Sequence, residues 1–385
     1  MMGRASHILA FSVACALGDD NAAVAANLFA AKPGAIADEA ELSDRRRVPV
    51  GRVRARLEKP HGETRTNRMV AHCFEPLARD IAAARARFGA ARLGVVLGTC
   101  TSGIGEGGDA VATKLETGAW PEGFSLQQQQ LGDAARFAAH MAGAEGPAYA
   151  VSTACTSGAR ALAAGARLIE TDVCDAVLCG AADSLCALTL NGFASLDSLS
   201  DAPCNPMSLN RKGLNIGEGA ALFLLTRGEG PFRLLGWGES ADGHHISAPD
   251  PTGAGAERAI RKALTMSERD ARAIDFVHLH GTATKLNDQM EAAVVHRVFG
   301  EDTPCASTKP LTGHTLGAAG AVQAALCLMA LERDQLPPHL WDGVRDPELP
   351  AIRLAAPGER APLTAILSAS YAFGGNNAAL VLAKT

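Results

Sequence analysis

The sequence predicts a globular α/β protein, and three observations carry the prediction. Short β-rich runs, most of them followed closely by glycine or polar residues, recur along the chain. Alanine-rich stretches of helical character lie between them. Apolar residues make up 47% of the 385 residues while aromatics make up only 4%, a composition of small side chains that lets helices pack closely on sheets.

Taken in order, the chain opens with Met1-Met2-Gly3-Arg4 and a brief apolar run to Leu17, closed by Asp19-Asp20. That reads as strand and loop and not as a signal peptide, since no small-residue cleavage site stands out. A helix is expected over Met69 to Phe88, then a buried strand over Leu93 to Gly98. Gln127 to Gln130 is a short polar helix or loop. Next come a helix over Ser157 to Glu170 and strands over Ala176 to Gly180 and Ala220 to Thr226. Arg227-Gly228-Glu229-Gly230-Pro231 breaks the pattern, after which it restarts. The second series has helices over Ala254 to Met266, Asp288 to Phe299 and Gly317 to Arg333, with strands over Phe276 to Leu279 and Ala365 to Ser368. The break divides the chain into halves, residues 1–228 and 229–385. No fixed short repeat links them.

A formal net charge of −5 gives no footprint for a nucleic-acid backbone or an acidic membrane surface. Ten scattered cysteines without a C-x-x-C pair suit a reducing cytosol, so a cytoplasmic location is expected. No run approaches the roughly 20 apolar residues of a membrane-spanning helix.

Four segments carry candidate chemistry. Val151-Ser152-Thr153-Ala154-Cys155-Thr156-Ser157-Gly158 places a cysteine between a β-like approach and a helix, hence at a helix N-terminus. Backbone N–H groups and the helix dipole there favour a thiolate and a developing oxyanion. His278-Leu279-His280-Gly281-Thr282-Ala283-Thr284 follows an apolar run, at a strand end where ligands collect in α/β sheets. Ser307 to Gly320 adds Lys309 and His314 ahead of a helix of small residues, and Ser370 to Asn377 sets Phe373 beside two glycines, a plausible hinge or gate. Each histidine alone reads more readily as structural; together with Cys155 they read as a site.

In order and spacing, Thr153-Ala154-Cys155-Thr156-Ser157, His280 to Thr284 with Asn287-Asp288, Lys309 to Gly320 and Phe373-Gly374-Gly375-Asn376-Asn377 resemble the signatures of β-ketoacyl-carrier-protein synthases. Asn191 to Leu196 and Ile216 to Ala220 extend the resemblance over nearly all the chain beyond roughly the first ninety residues. The resemblance implies a thiolase-like fold: two similar βαβαβαββ halves in a five-layered α-β-α-β-α core, the first carrying Cys155 and the second His280, Lys309 and His314. It implies decarboxylative condensation of an acyl chain on Cys155 with malonyl-carrier protein. His280 and His314 would promote decarboxylation, with Lys309, paired with Glu291, holding the electrostatics. Backbone N–H groups of Cys155 and Phe373 would form the oxyanion hole, the Phe373 side chain gating the pocket. Thr282 and Thr284 would bind the phosphopantetheine arm, and Phe193, Gly374 and Gly375 would complete the substrate site. Acyl carrier protein is the implied partner, with a homodimer or a heterodimer with a chain-length-factor homologue; no metal or dissociable cofactor is implied.

Three departures from the pattern stand out: Ala283 where glycine is usual, Tyr371-Ala372 before Phe373, and Arg211-Lys212-Gly213 where arginine-aspartate-glycine is common. They suggest a specialised polyketide, secondary-lipid or aryl-polyene-type pathway. Cys155 argues against an inactive chain-length factor, and the absence of a cysteine at Phe373 to Asn377 argues against a degradative thiolase. A nicotinamide oxidoreductase rests only on Gly103-Ile104-Gly105-Glu106-Gly107-Gly108, where Glu106 would face a pyrophosphate. His244-His245 and Cys174 with Cys179 lack zinc-ligand spacing. Arg45-Arg46-Arg47, Arg65 and Arg68 are a candidate carrier-docking patch, with a solvated charge face as the alternative.

Overall fold

The computed structural model describes residues 6–32, 34–58 and 64–385; Met1 to Arg4 lie outside the described residues. The first half contains β1 (Ser6–Ala14), α1 (Asn21–Phe29), β2 (Asp38–Glu41), β3 (Arg47–Val50), α2 (Arg65–Phe74), α3 (Ala78–Phe88), β4 (Leu93–Gly98) and α4 (Ile104–Thr117). It continues with α5 (Asp133–Ala142), β5 (Ala148–Val151), α6 (Ser157–Glu170), β6 (Ala176–Asp183), α7 (Ala187–Ser195) and β7 (Gly219–Thr226). The second half runs β8 (Phe232–Ala241), α8 (Ala254–Met266), β9 (Phe276–His278), α9 (Lys285–Phe299), β10 (Pro304–Ala306), α10 (Lys309–Thr312) and α11 (Ala319–Arg333). It ends with β11 (Arg353–Leu354), β12 (Ala365–Ala372) and β13 (Asn376–Lys384).

Three expected helices differ in their bounds. α9 starts at Lys285 instead of Asp288, and α11 at Ala319 instead of Gly317. Met69 to Phe88 is two helices, because Pro76 opens a 3-10 turn at Glu75–Leu77 and cannot donate to the preceding turn. The glycines of Gly103 to Gly108 form no phosphate loop. Gly103 caps α4, the others lie within that helix, and Glu106 accepts the Arg65 backbone N–H at 2.6 Å.

Eleven strands form one mixed sheet in the order β11-β10-β9-β12-β13-β8-β1-β7-β6-β4-β5. The repeat that residue identity hides is plain in this order. In the first half β4 pairs parallel with β5 and β6, then β6–β7 and β7–β1 are antiparallel. In the second β9 pairs parallel with β10 and β12, then β12–β13 and β13–β8 are antiparallel. The halves join where Ser6, His7 and Ile8 of β1 pair with Leu234, Arg233 and Phe232 of β8.

The sheet wraps around α6 and α11, which gives five layers. On β6, Val177, Cys179 and Ala181 face this central pair while Ala176, Leu178 and Ala182 face α2, α3 and α5. In the second half Ile366 and Leu380 face inward, and Val277, Leu367 and Val381 face α8 and α9. Such two-sided burial explains why these strands read as continuous apolar runs and not as alternating ones. Glycine sets how closely the central helices cross. A Cβ on Gly158 would lie 2.7 Å from the Ala321 nitrogen, and one on Gly320 2.7 Å from the Ala159 nitrogen. Leu316–Arg333 is long and apolar enough to span a membrane by composition, but it is 89% buried as this central core helix.

Candidate active site

Cys155 at the start of α6, the turn that follows β9 and His314 in the loop ahead of α11 converge on one cavity of ≈ 450 Å³. β5 delivers the chain to Cys155, with Ala154 in a left-handed turn (φ 52°) that aims the next residue at the cavity. The Ser157 hydroxyl locks this turn by accepting the Thr153 N–H at 2.9 Å and donating to the Ala154 carbonyl at 2.6 Å. Cys155 is buried, and its Sγ lies 3.0 Å from His314 Nε2. Burial pushes its thiol up to about 12 and Asp183 adds to the rise, while Lys309 and the residue's own N–H pull it back. The resting group is a thiol.

His280 meets His314 edge to face, with ring centres 5.2 Å apart. Burial, then the Lys309 cation, holds both imidazoles well below the usual histidine range, so both are neutral at physiological pH. Their Nδ1 atoms have no partner among the described residues. The Cys155, His280 and His314 donor atoms all lie within 4.8 Å of one another, a spacing that can hold a thiophilic metal ion as well as an acyl-transfer site.

Lys309 and Glu291 are both buried at the site, but they do not form the expected ion pair. Lys309 Nζ donates to the His280 carbonyl and, at 3.4 Å, to Gln323 Oε1. Glu291 instead accepts the backbone N–H groups of His280 and Gly281, each at 2.7 Å, and Asn287 Nδ2 at 3.2 Å. Glu291 thus clamps the turn that presents His280, and Lys309 grips the same turn through its carbonyl. Burial raises the carboxyl and lowers the ammonium, and each charge partly restores the other.

Of the remaining candidates, Thr282, Thr284, Phe193 and Phe373 line the same cavity, while Gly374 and Gly375 lie beside Phe373 outside its lining. Thr282 and Thr284 share a hydroxyl hydrogen bond of 2.8 Å, and Phe193 stacks on Phe373 at 5.4 Å. Gly374 and Gly375 adopt φ of 77° and 70°, and the Gly374 N–H binds the Ile246 carbonyl at 2.7 Å. Tyr371 packs edge-on to His280 at 5.9 Å with its buried hydroxyl unpartnered among the described residues. Ala283 keeps the left-handed backbone (φ 64°) of the glycine it replaces, held by its N–H to Asp288 and its carbonyl to the Gly213 N–H.

Three supporting residues lie outside the sequence motifs. Asp183, at the end of β6, accepts Thr99, Cys100 and Thr101 and binds the Gly317 N–H at 2.6 Å, tying the two halves together behind Cys155. Gln323 Nε2 lies 3.0 Å from His278 Nδ1, which also meets the Leu279 carbonyl at 3.1 Å, and His278 Nε2 meets the Thr308 hydroxyl at 3.1 Å. His339 accepts the Ser307 N–H at 3.1 Å. A carboxylate ending an apolar strand and a lone glutamine inside an apolar helix were the available signals.

The arginine cluster is not one free basic patch. Arg45, Arg46 and Arg47 pair with Glu41, Asp44 and Glu39; Arg65 turns inward to buried Glu218, and Arg68 sits 3.9 Å from Glu106.

A cysteine at a helix N-terminus, flanked by two neutral imidazoles and a buried lysine in a duplicated five-layer fold, defines a thiolase-fold acyl-transfer enzyme. Residues 68–230 match the N-terminal domain of the beta-ketoacyl synthases and residues 232–341 their C-terminal domain, so the chain belongs to that family and is a condensing acyltransferase. It is 31% identical over 349 residues to the tetracenomycin polyketide synthase ketoacyl synthase alpha subunit of Streptomyces glaucescens, covering 83% of this chain and 81% of that protein. It is 30% identical over 311 residues to 3-oxoacyl-[acyl-carrier-protein] synthase 2 of Synechocystis, covering 76% and 75%. A chain from the complex of the ketosynthase ApeO with its chain length factor ApeC, from Xenorhabdus doucetiae, superposes with a TM-score of 0.95 at 40% identity, covering 99% of this chain and 98% of that one.

Proposed function

We propose that this protein elongates a carrier-bound acyl chain by two carbons, with Cys155 as nucleophile and His280 and His314 as the decarboxylating pair. The observation that carries the residue assignment is the 3.0 Å approach of His314 Nε2 to Cys155 Sγ, with His280 edge-on to His314 in the same cavity. Cys155 attacks the incoming thioester, and its proton passes to His314 and then to the departing carrier thiol. Malonyl-carrier protein then occupies the emptied arm site beside Thr282 and Thr284. As carbon dioxide leaves, the enolate oxygen is met by imidazole N–H donors in a dry pocket. Lys309 disfavours a second positive charge on either ring and so keeps both neutral. The enolate carbon attacks the acyl-Cys155 carbonyl, whose oxyanion faces the backbone N–H groups of Cys155 and Phe373. Collapse releases the β-ketoacyl chain on its carrier and a Cys155 thiolate, which takes a proton from water. No metal or dissociable cofactor enters this scheme.

The physiological unit in this reading is a cytoplasmic heterodimer with an inactive homologue acting as chain length factor, and the product is a polyene- or polyketide-type chain. The likeness to the ApeO–ApeC complex supports it. So do exposed apolar side chains: Tyr149 on edge strand β5 and, in and after α4, Val111, Leu115 (81% exposed), Trp120 and Leu126. Intact-mass spectrometry with graded acyl-carrier proteins, with and without the homologue, tests the reading. An acyl adduct absent from Cys155→Ala and discharged by malonyl-carrier protein supports it; no adduct with any chain in either preparation rejects it.

A further inference from the structure

We infer that Lys212 and Lys285 form a cationic clasp at the mouth of the catalytic cavity that grips the phosphate of the carrier's phosphopantetheine arm. The inference rests on the condensing function proposed above and assigns recognition residues to that same site. Both lysines line the cavity, both are exposed, and neither has a carboxylate within 4 Å among the described residues. Most exposed arginines here are already engaged, as with Arg45, Arg46, Arg54 and Arg261.

Their placement follows from the backbone. Lys285 directly follows Thr284, and the Gly213 N–H binds the Ala283 carbonyl at 3.0 Å, which ties the segment bearing Lys212 to the Thr282–Thr284 turn. An arm whose amide portion lies along Thr282 and Thr284 therefore emerges past both ammonium groups. No neighbouring acid pairs with them within 4 Å among the described residues, although Asp346 feels Lys285 at longer range. Asp346 and Asp288 face Arg211, at 2.6 and 3.9 Å, and Asp342 is taken by Ser208 and Asn210. Of the cavity's own carboxylates, Asp242 accepts Asn377 and the Asp250 N–H, and exposed Asp197 pairs with neither lysine. Lys212 also occupies the position where the family pattern commonly carries aspartate, so this chain presents a cation where an anion would repel phosphate. Lysine suits the task as a mobile point charge that follows a phosphate on a flexible tether.

The test compares three acyl donors that differ in one group each: acyl-pantetheine, acyl-phosphopantetheine and acyl-carrier protein. Acylation of Cys155 is followed for wild type and Lys212→Ala/Lys285→Ala. Two partly exposed charge contacts amount to roughly a five- to tenfold effect at low salt. The expected result is that KM for the phosphate-bearing donors rises by that factor in the double variant, kcat holds, and acyl-pantetheine is unaffected. The wild-type preference for phosphate should also shrink at high ionic strength. Equal KM for acyl-phosphopantetheine in both proteins overturns the proposal. A loss seen only with the intact carrier also overturns it, since the lysines would then read the carrier's acidic surface. Equilibrium binding of non-reactive phosphopantetheine, compared with pantetheine, gives the same answer without turnover. It separates failure of the clasp from failure of the condensing function.

Discussion

Glu291→Gln tests the mechanical core of the site. The carboxylate accepts two backbone N–H groups, from His280 and Gly281, each at 2.7 Å, in a fully buried setting. A glutamine amide keeps the size but offers one acceptor, so one N–H is left facing an NH2 group. Losing one charge-assisted hydrogen bond and stranding a buried donor costs about 3 kcal/mol. The turn that presents His280 should loosen, lowering malonyl decarboxylation more than acylation of Cys155. A pH signature accompanies this. Burial raises the Glu291 carboxyl, so acidification of the wild type protonates it and weakens the same clamp before the depressed His280 and His314 can titrate. Decarboxylation by the wild type should therefore fall on the acid side of neutrality, and the variant should be low and flat there. Burial also raises the carboxyls of Asp183 and Asp288, so they add to the acid-side loss. Denaturant unfolding and single-turnover release of carbon dioxide provide the readouts. Unchanged unfolding together with an unchanged acid limb in Glu291→Gln would refute the clamp.

Arg65→Met should destabilise by about 3–5 kcal/mol, because it strands the buried Glu218 carboxylate that Arg65 meets at 2.8 and 2.5 Å; a midpoint shift in urea unfolding checks it. His339, held down to about 4 by burial from an ordinary value of 6.5, refuses a proton that the unfolded chain accepts, so its share of stability is lost as pH falls between those values. At 1.36 kcal/mol per unit that share is about 3 kcal/mol, and His339→Gln should lose correspondingly less stability than wild type between pH 7 and 4.5. Gly158→Ala should cost about 1–3 kcal/mol or more through overpacking of α6 on α11, and Cys155 acylation should slow with it.

How much of this was legible in the sequence depended on whether the signal was local. Ser157–Glu170 and Ala254–Met266 fall at the residues their composition predicted, because alanine-rich amphipathic segments declare their own boundaries. Cys155, His280, Lys309 and His314 were legible because each sits in a short motif at a strand end or helix start. The partners of Lys309 and Glu291 were not, since opposite charges suggest an ion pair, whereas backbone groups of the His280 turn claim both. The duplication was also hidden: strand order and direction repeat while residues do not, because any small apolar side chain satisfies a layer buried on both sides.

That duplication explains why the chemistry needs both halves in one chain. Cys155 stands at the start of α6 and His314 just ahead of α11, so their 3.0 Å approach is set by how these two helices cross. The crossing is fixed by backbone contacts at Gly158 and Gly320, and the loop before α11 is tied to the first half by the Gly317 N–H on Asp183. None of these contacts lies within a single half. Either half alone would expose the apolar face of its central helix and hold an incomplete set, a nucleophile without its imidazoles or the reverse. Tight, dry packing between the halves therefore stabilises the protein through the same contacts that position its reacting atoms, which is why substitutions at Gly158 or Asp183 should alter folding and acylation together.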